Sequence, residues 1–281
     1  MKKVVLSMDV EDWFHLDYVH VSDVSQNFSM LDGLDNYQRL LERYNLKSSF
    51  FCLDEILQRE KVRFRDLYDT GHDIGSHGAT HIRPLLMSIS DFTEEMKSCY
   101  QNILDITNSD CIGYRAPCFS LDEQRLKIIE KIGFKFDASK IDFGIHPLYG
   151  QMTLRTFDNI NKFVYKRENF FVFEANTCKF YNKSFPSSGG GYLRMFPWKL
   201  TKFFLNEHIK NADFYNLYIH PFELSHRSMP DPVRRLPYKN RLRFSLGRRK
   251  TLDKLERLIN LFGESGYQFT TYSALRSSVL C

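Results

Sequence analysis

Four stretches of the chain hold residue types that can do metal or acid–base chemistry. Residues 71–81 read GHDIGSHGATH, so His77 and His81 stand four apart and can face one cation if the segment coils. Nine histidines in 281 residues give such a pair by chance roughly once in four chains, so the pair alone decides nothing. Residues 7–14, SMDVEDWF, add Asp9, Glu11 and Asp12. Two imidazoles and one carboxylate, with positions left for water, make a catalytic metal site rather than a closed structural one, and a second carboxylate can take a proton from that water. The plain alternatives are hydrogen-bonded loop histidines and a solvated acidic turn.

Residues 113–120, GYRAPCFS, place Arg115 before a proline-fixed turn. An arginine there can pair with a carboxylate and hold it ionised, and Pro117 restricts the chain so that the Cys118 backbone N–H can aim at a developing oxyanion. The Cys118 thiol is not needed as a nucleophile beside a metal site. In residues 217–224, LYIHPFEL, His220 follows an apolar run and precedes Pro221, a position more often structural than catalytic. Asp137, in FDASK, is a candidate to orient one of these charged groups.

The elements that must position these side chains follow from periodicity. Residues 4–8 read as a buried strand ending at Asp9, 73–76 as a short strand ending at His77, and 112–114 as a strand ending at Arg115. Residues 134–136 precede Asp137, and 213–219 precede His220. Strands are also predicted at 48–53, 170–175 and 267–272. Helical patterns cover 34–44, 54–69, 91–106 with Ser90 as N-cap, 122–132 stopped by Gly133, and 251–262. Residues 141–183 are irregular. Repeated β–α alternation predicts an α/β fold with a parallel sheet, open or closed as a barrel. In such folds the carboxyl ends of the strands face one crevice, and five strand ends here each deliver an ionisable residue to it.

Composition bounds the rest. Hydrophobic residues make up 43% and aromatics 15%, which excludes intrinsic disorder. The formal charge of +5 is mild. Residues 234–250 nevertheless hold eight Lys or Arg among Leu236, Tyr238, Leu242, Phe244 and Leu246. This run can meet an anionic saccharide, a lipid-linked diphosphate or a membrane surface, or be a solvated face with its apolar residues packed inward. No recognised nucleic-acid motif accompanies it, so nucleic acid is not expected as a partner, and no protein partner is predictable. The six cysteines form no CxxC pair, favouring reduced thiols. No apolar run reaches the ~18 residues of a membrane span and the start is too short for a signal core, so a soluble cytoplasmic protein is expected.

Taken together, the motifs at 9–12, 76–81, 115–118 and 217–220 resemble, in order, those of the polysaccharide deacetylase family (NodB homology, carbohydrate esterase family 4). Segments 186–198, 220–224 and 235–259 resemble its subgroup encoded near exosortase and exopolysaccharide loci in bacteria. The resemblance covers about residues 4–275. It implies a single catalytic domain over 1–281, a distorted (β/α) barrel of about seven or eight parallel strands with irregular insertions in the second half, and hydrolysis of an N-acetyl group from an amino sugar in a saccharide. It also implies a divalent metal, with zinc suiting the ligands, held by His77, His81 and one of Glu11 or Asp12. Asp9 becomes the base fixed by Arg115, Cys118 N–H an oxyanion donor, and His220 the acid, with Asp137 orienting His220 or pairing with Arg115. Trp13 and Tyr192 are the candidates for stacking on a sugar, although the Gly189–Tyr192 stretch reads equally as a simple turn. There is one departure from the family pattern: Val10 stands where its second aspartate would be. That keeps open a decayed saccharide-binding protein, beside the separate rival of a related amide hydrolase acting on a formylated sugar or ureide.

Overall fold

A computed structural model describes residues 2–19, 28–142, 144, 146–180 and 183–280. Among the described residues twelve strands are formed: β1 Lys3–Val10, β2 Ser49–Cys52, β3 Asp73–Ser76, β4 Gly113–Tyr114, β5 Phe136–Ile141, β6 Asp158–Asn161, β7 Val164–Arg167, β8 Phe170–Ala175, β9 Thr177–Phe180, β10 Lys183–Pro186, β11 Phe214–Ile219 and β12 Gln268–Thr270. The main sheet runs β11-β1-β2-β3-β4-β5-β8-β7-β6, with β12 also paired to β1, and β9 and β10 form a separate hairpin. From β11 to β8 every pairing is parallel, while β7 and β6 continue antiparallel. β1 is buried along nearly its whole length, as a strand covered on both faces must be, and its unbroken apolar start reflects this.

With β12, eight strands are paired in parallel, and they form a distorted (β/α) barrel that no strand ladder closes among the described residues. The gap between β8 and β11 is spanned by side chains and by one backbone bond from the segment before Gly190. The Asn216 N–H donates to Asn176 Oδ1 at 2.5 Å, Asn216 Nδ2 donates to the Glu174 carbonyl at 2.9 Å, and the Tyr218 N–H donates to the Ser188 carbonyl at 2.9 Å. Asn176 and Asn216 are both buried, so these bonds satisfy backbone groups that a closing ladder would otherwise pair.

Most predicted elements appear at or near their expected bounds; the differences have local causes. Residues 54–69 form two helices, Asp54–Arg59 and Lys61–Asp69, broken at Glu60. The 91–106 helix begins earlier, as Ile89–Thr107, because the Ser88 hydroxyl rather than Ser90 caps it by accepting from the Asp91 N–H at 3.1 Å. Asp137 lies inside β5 rather than at its end. The Gly-rich stretch is no loose turn: Gly190–Met195 is helical, and the helix Trp198–Asn211 follows. Cys52, Cys99, Cys111, Cys118 and Cys178 are free thiols, and Cys281 lies outside the described residues.

Candidate metal and acid–base centre

Strand geometry selects which acids face the crevice. Side chains alternate along β1, so Asp9 and Glu11 leave on one side and Val10 on the other, into the apolar core. Asp12 then turns away. Its Oδ1 accepts from the Trp13 N–H and the Met30 N–H, both at 2.8 Å, capping the short helix Trp13–His15. Of the two carboxylates predicted as alternatives, Glu11 reaches the histidines and Asp12 does not.

His77 and His81 come from a loop, not a helix. The His77 N–H extends the β3 pairing by donating to the Cys52 carbonyl at 2.8 Å, and the chain then turns through Gly78 and through His81 at φ 63°. Glu11 Oε2 lies 2.6 Å from His81 Nε2 and 3.8 Å from His77 Nε2. One ligand atom from each of the three residues falls within 4.8 Å of the others. Glu11 Oε2 is buried and has no hydrogen-bond partner among the described residues. An unpaired carboxylate oxygen flanked by two imidazole nitrogens fits a divalent cation of the N/O-binding kind.

Electrostatics supports that fit. Burial would raise the Glu11 pKa, but His81, His220 and His77 together hold it well below the usual carboxylate range. Burial pushes His77 down to about 4, keeping it neutral, and its Nδ1 bonds the Arg115 carbonyl at 2.8 Å. With Nδ1 protonated for that bond, the Nε2 lone pair faces Glu11, which is how backbone partners orient metal-binding histidines. His81 is raised: burial opposes protonation, but Glu11 outweighs it.

Asp9 sits beside this cluster. Arg115, itself buried, donates from Nη1 to Asp9 Oδ1 at 2.6 Å and to Ser7 Oγ at 3.0 Å, from Nη2 to the Tyr272 hydroxyl at 3.0 Å, and from Nε to the Ala138 carbonyl at 3.2 Å. Its guanidinium also lies 4.2 Å over the Phe51 ring. So held, it anchors one oxygen of Asp9, while the other is 3.9 Å from His220 Nε2. The predicted Asp9–Arg115 pair is present.

His220 ends β11 with Nε2 3.7 Å from Glu11 Oε1. Its Nδ1 is 3.1 Å from Glu223 Oε2, and Glu223 Oε1 accepts from Arg194 Nε at 3.0 Å. Burial disfavours the imidazolium, yet Glu223, Glu11 and Asp9 bring His220 up to about 9. Glu223 and Arg194 were not anticipated. The available signal was the i,i+3 spacing of His220 and Glu223 across Pro221, a capping-box arrangement of donor and acceptor.

Asp137 does not take the place foreseen for it. It bonds neither His220 nor Arg115; it accepts from the Ser139 N–H at 2.9 Å and the Ser139 hydroxyl at 2.6 Å, and Ser139 Oγ accepts from the Ala116 N–H at 2.8 Å. Trp13 is buried among Leu16, Met30 and Phe222, with its indole N–H donating to the Phe28 carbonyl at 2.7 Å, so it offers no face to a ligand. Tyr192 does line the cleft. Cys118 lines it too, in the left-handed region at φ 53°, with burial pushing its thiol up to about 12. The cleft has a volume of about 630 Å³, and Tyr18, Phe119, Tyr149, Tyr218 and Arg243 also line it.

A distorted (β/α) barrel carrying a candidate metal triad and a flanking acid–base pair at its carboxyl edge defines the class. Comparison with known proteins specifies it. Residues 31–136 match the polysaccharide deacetylase family, and residues 141–275 match a domain of unknown function, DUF3473. A peptidoglycan deacetylase of Helicobacter pylori is 25% identical over 136 residues, which is 48% of this chain and 45% of that protein. A peptidoglycan deacetylase-like protein of Gibberella zeae is 21% identical over 109 residues, 38% of this chain and 32% of that one. The matches thus span less than half the length of these curated relatives. In fold, the chain is similar to a putative polysaccharide deacetylase from Mycobacterium smegmatis (TM-score 0.63, 12% identity, covering 99% of this chain and 90% of that one). It is also similar to a carbohydrate esterase family 4 pseudoenzyme from Bacillus anthracis (TM-score 0.51, 12% identity, 98% and 65%). The likeness in sequence to the polysaccharide deacetylases is thus carried by residues 31–136, while the likeness in fold to carbohydrate esterase family 4 proteins extends over nearly the whole chain.

Proposed function

We propose that the chain is a metal-dependent hydrolase that removes the N-acetyl group from an amino sugar within a saccharide, with residues 1–281 acting as one catalytic unit. The observation that carries this reading is the convergence of Glu11, His77 and His81 next to an Arg115-anchored Asp9, with His220 facing both carboxylates across the cleft. The halves of the chain are complementary: the first supplies the ligands, Asp9 and Arg115, the second His220, Glu223 and Arg194.

A divalent cation at Glu11, His77 and His81, zinc being the best match to the donors, would supply polarisation of an amide carbonyl and acidification of water. Asp9, one oxygen tied to Arg115, takes the proton of the attacking water through the other. His220, aligned by Glu223, returns a proton to the departing amine, which would otherwise be a poor leaving group. The Cys118 N–H, in its left-handed turn, is an oxyanion donor, and Tyr192 supplies an aromatic face for a sugar ring. The chemistry is the same on a formylated sugar; acetate release separates the two. Val10 does not mark a decayed site on this reading, because Glu11, one residue on, fills the carboxylate position. The exopolysaccharide-locus likeness of the second half supports an exopolysaccharide or lipid-linked glycan as substrate.

The test is acetate release from N-acetylglucosamine oligomers by the full chain, with and without chelator. Activity that chelator removes and zinc restores is expected, with Asp9→Asn lowering it by about a hundredfold or more while leaving bound metal unchanged. Undiminished acetate release by Asp9→Asn would refute the role given to Asp9, and formate release from N-formylglucosamine oligomers with no acetate release from the N-acetyl ones would refute the substrate.

A further inference from the structure

The basic segment 234–250 carries eight Lys or Arg and no Asp or Glu, leaving 31 basic against 34 acidic residues in the rest of the chain. The positive charge is therefore concentrated at one place. That place is the rim of the cleft: Arg243 lines the cavity and lies 4.1 Å over the Tyr18 ring, and Asn240 Nδ2 donates to the Tyr18 carbonyl at 3.1 Å.

The helix Tyr238–Ser245 within this segment is amphipathic in an unusual direction. Asn240 and Phe244, four apart, face inward, and Phe244 is fully buried. On the other face Tyr238, Leu242 and Leu246, also four apart, are 70%, 42% and 44% exposed. Lys239, Arg243, Arg249 and Lys250 are exposed around them. A second apolar group stands on the same rim, in the loop after His81, where Ile82, Leu85 and Leu86 are 51%, 40% and 68% exposed. The two groups are linked through adjacent rim residues: Arg83 reaches Asp17 at 3.9 Å, and Tyr18 meets the basic helix.

We propose that this rim docks on an anionic lipid surface, with the helix Tyr238–Ser245 lying in the headgroup layer and the cleft opening toward it. Cations attract the anionic headgroups, and outward-facing Leu and Tyr side chains insert at the boundary with the acyl chains. A soluble polyanion would satisfy the cations but would leave the apolar stripe in water, so the combination of the two favours a bilayer. No described helix is long and apolar enough to cross a membrane, and surface attachment requires none.

The experiment is co-sedimentation of the full chain with phosphatidylcholine vesicles with and without phosphatidylglycerol, at low and high salt. Partitioning is expected only with phosphatidylglycerol, falling about tenfold or more in Lys239→Glu/Arg249→Glu and similarly in Leu242→Ser/Leu246→Ser. All substituted residues are exposed and outside the cleft, and a thermal melt matching the parent confirms that each variant folds. No partitioning by the parent overturns the proposal. So does a charge-dependent partitioning that the leucine variant retains in full, since that would describe a site for soluble polyanions.

Discussion

At the residue scale, His220 depends on the buried carboxylate of Glu223. Glu223 accepts from the His220 ring and is itself held by Arg194, so it fixes which imidazole nitrogen faces the reacting groups. Glu223→Gln is expected to lower kcat by about tenfold to a hundredfold with little change in KM, and to shift the basic limb of the pH–rate profile; a change in KM alone would contradict this. Asp137 yields a stability prediction instead. Burial raises it to about 7 in the folded chain against a value near 4 unfolded. Between those limits only the folded state keeps the proton, so stability falls as pH rises, by up to about 1.4 kcal/mol per pH unit, and levels off above 7. Asp137→Asn removes that loss. Denaturant unfolding of both proteins across this range should show the variant gaining on the parent with rising pH; a pH-independent difference would contradict the assignment.

At the scale of elements, the barrel is closed at one seam by Asn176 and Asn216 instead of by a ladder. Asn176→Ala leaves the buried Asn216 N–H without its acceptor and should cost about 1–3 kcal/mol in denaturant unfolding. Because β11 carries His220, activity should fall as well; unchanged stability would show that the seam is held by other means. Much of the element pattern was legible in the sequence because parallel strands buried on both faces are nearly unbroken apolar runs, as 4–8, 170–175 and 214–219 are. The second half was harder to read. Its glycines looked like turn formers, yet a Cβ on Gly190 would lie 2.1 Å from Glu223 Oε2. The residue is small so that the helix Gly190–Met195 can pass against the Glu223 carboxylate, and that is a tertiary requirement with no local signature.

For the molecule as a whole, the candidate site assembles from distant stretches: Asp9 and Arg115 are 106 positions apart in sequence, and His220 lies further still along the chain. Motif spacing identified most of its members, since strand ends converge by topology. Spacing could not place those whose role depends on where a side chain goes next. Asp12 and Trp13 fall immediately after Glu11 but serve a helix cap and a satellite core, and Asp137 holds a loop through Ser139. Choosing Glu11 over Asp12 needed the two-residue alternation of β1 carried one residue past its end. The most direct test of the convergence is calorimetric titration of zinc into the metal-stripped full chain and its Glu11→Gln, Asp12→Asn and His77→Ala variants. One equivalent should bind the parent and Asp12→Asn alike, with affinity at least about tenfold weaker in the Glu11 and His77 variants. Equal binding by Glu11→Gln and the parent, or loss confined to Asp12→Asn, would contradict the centre described.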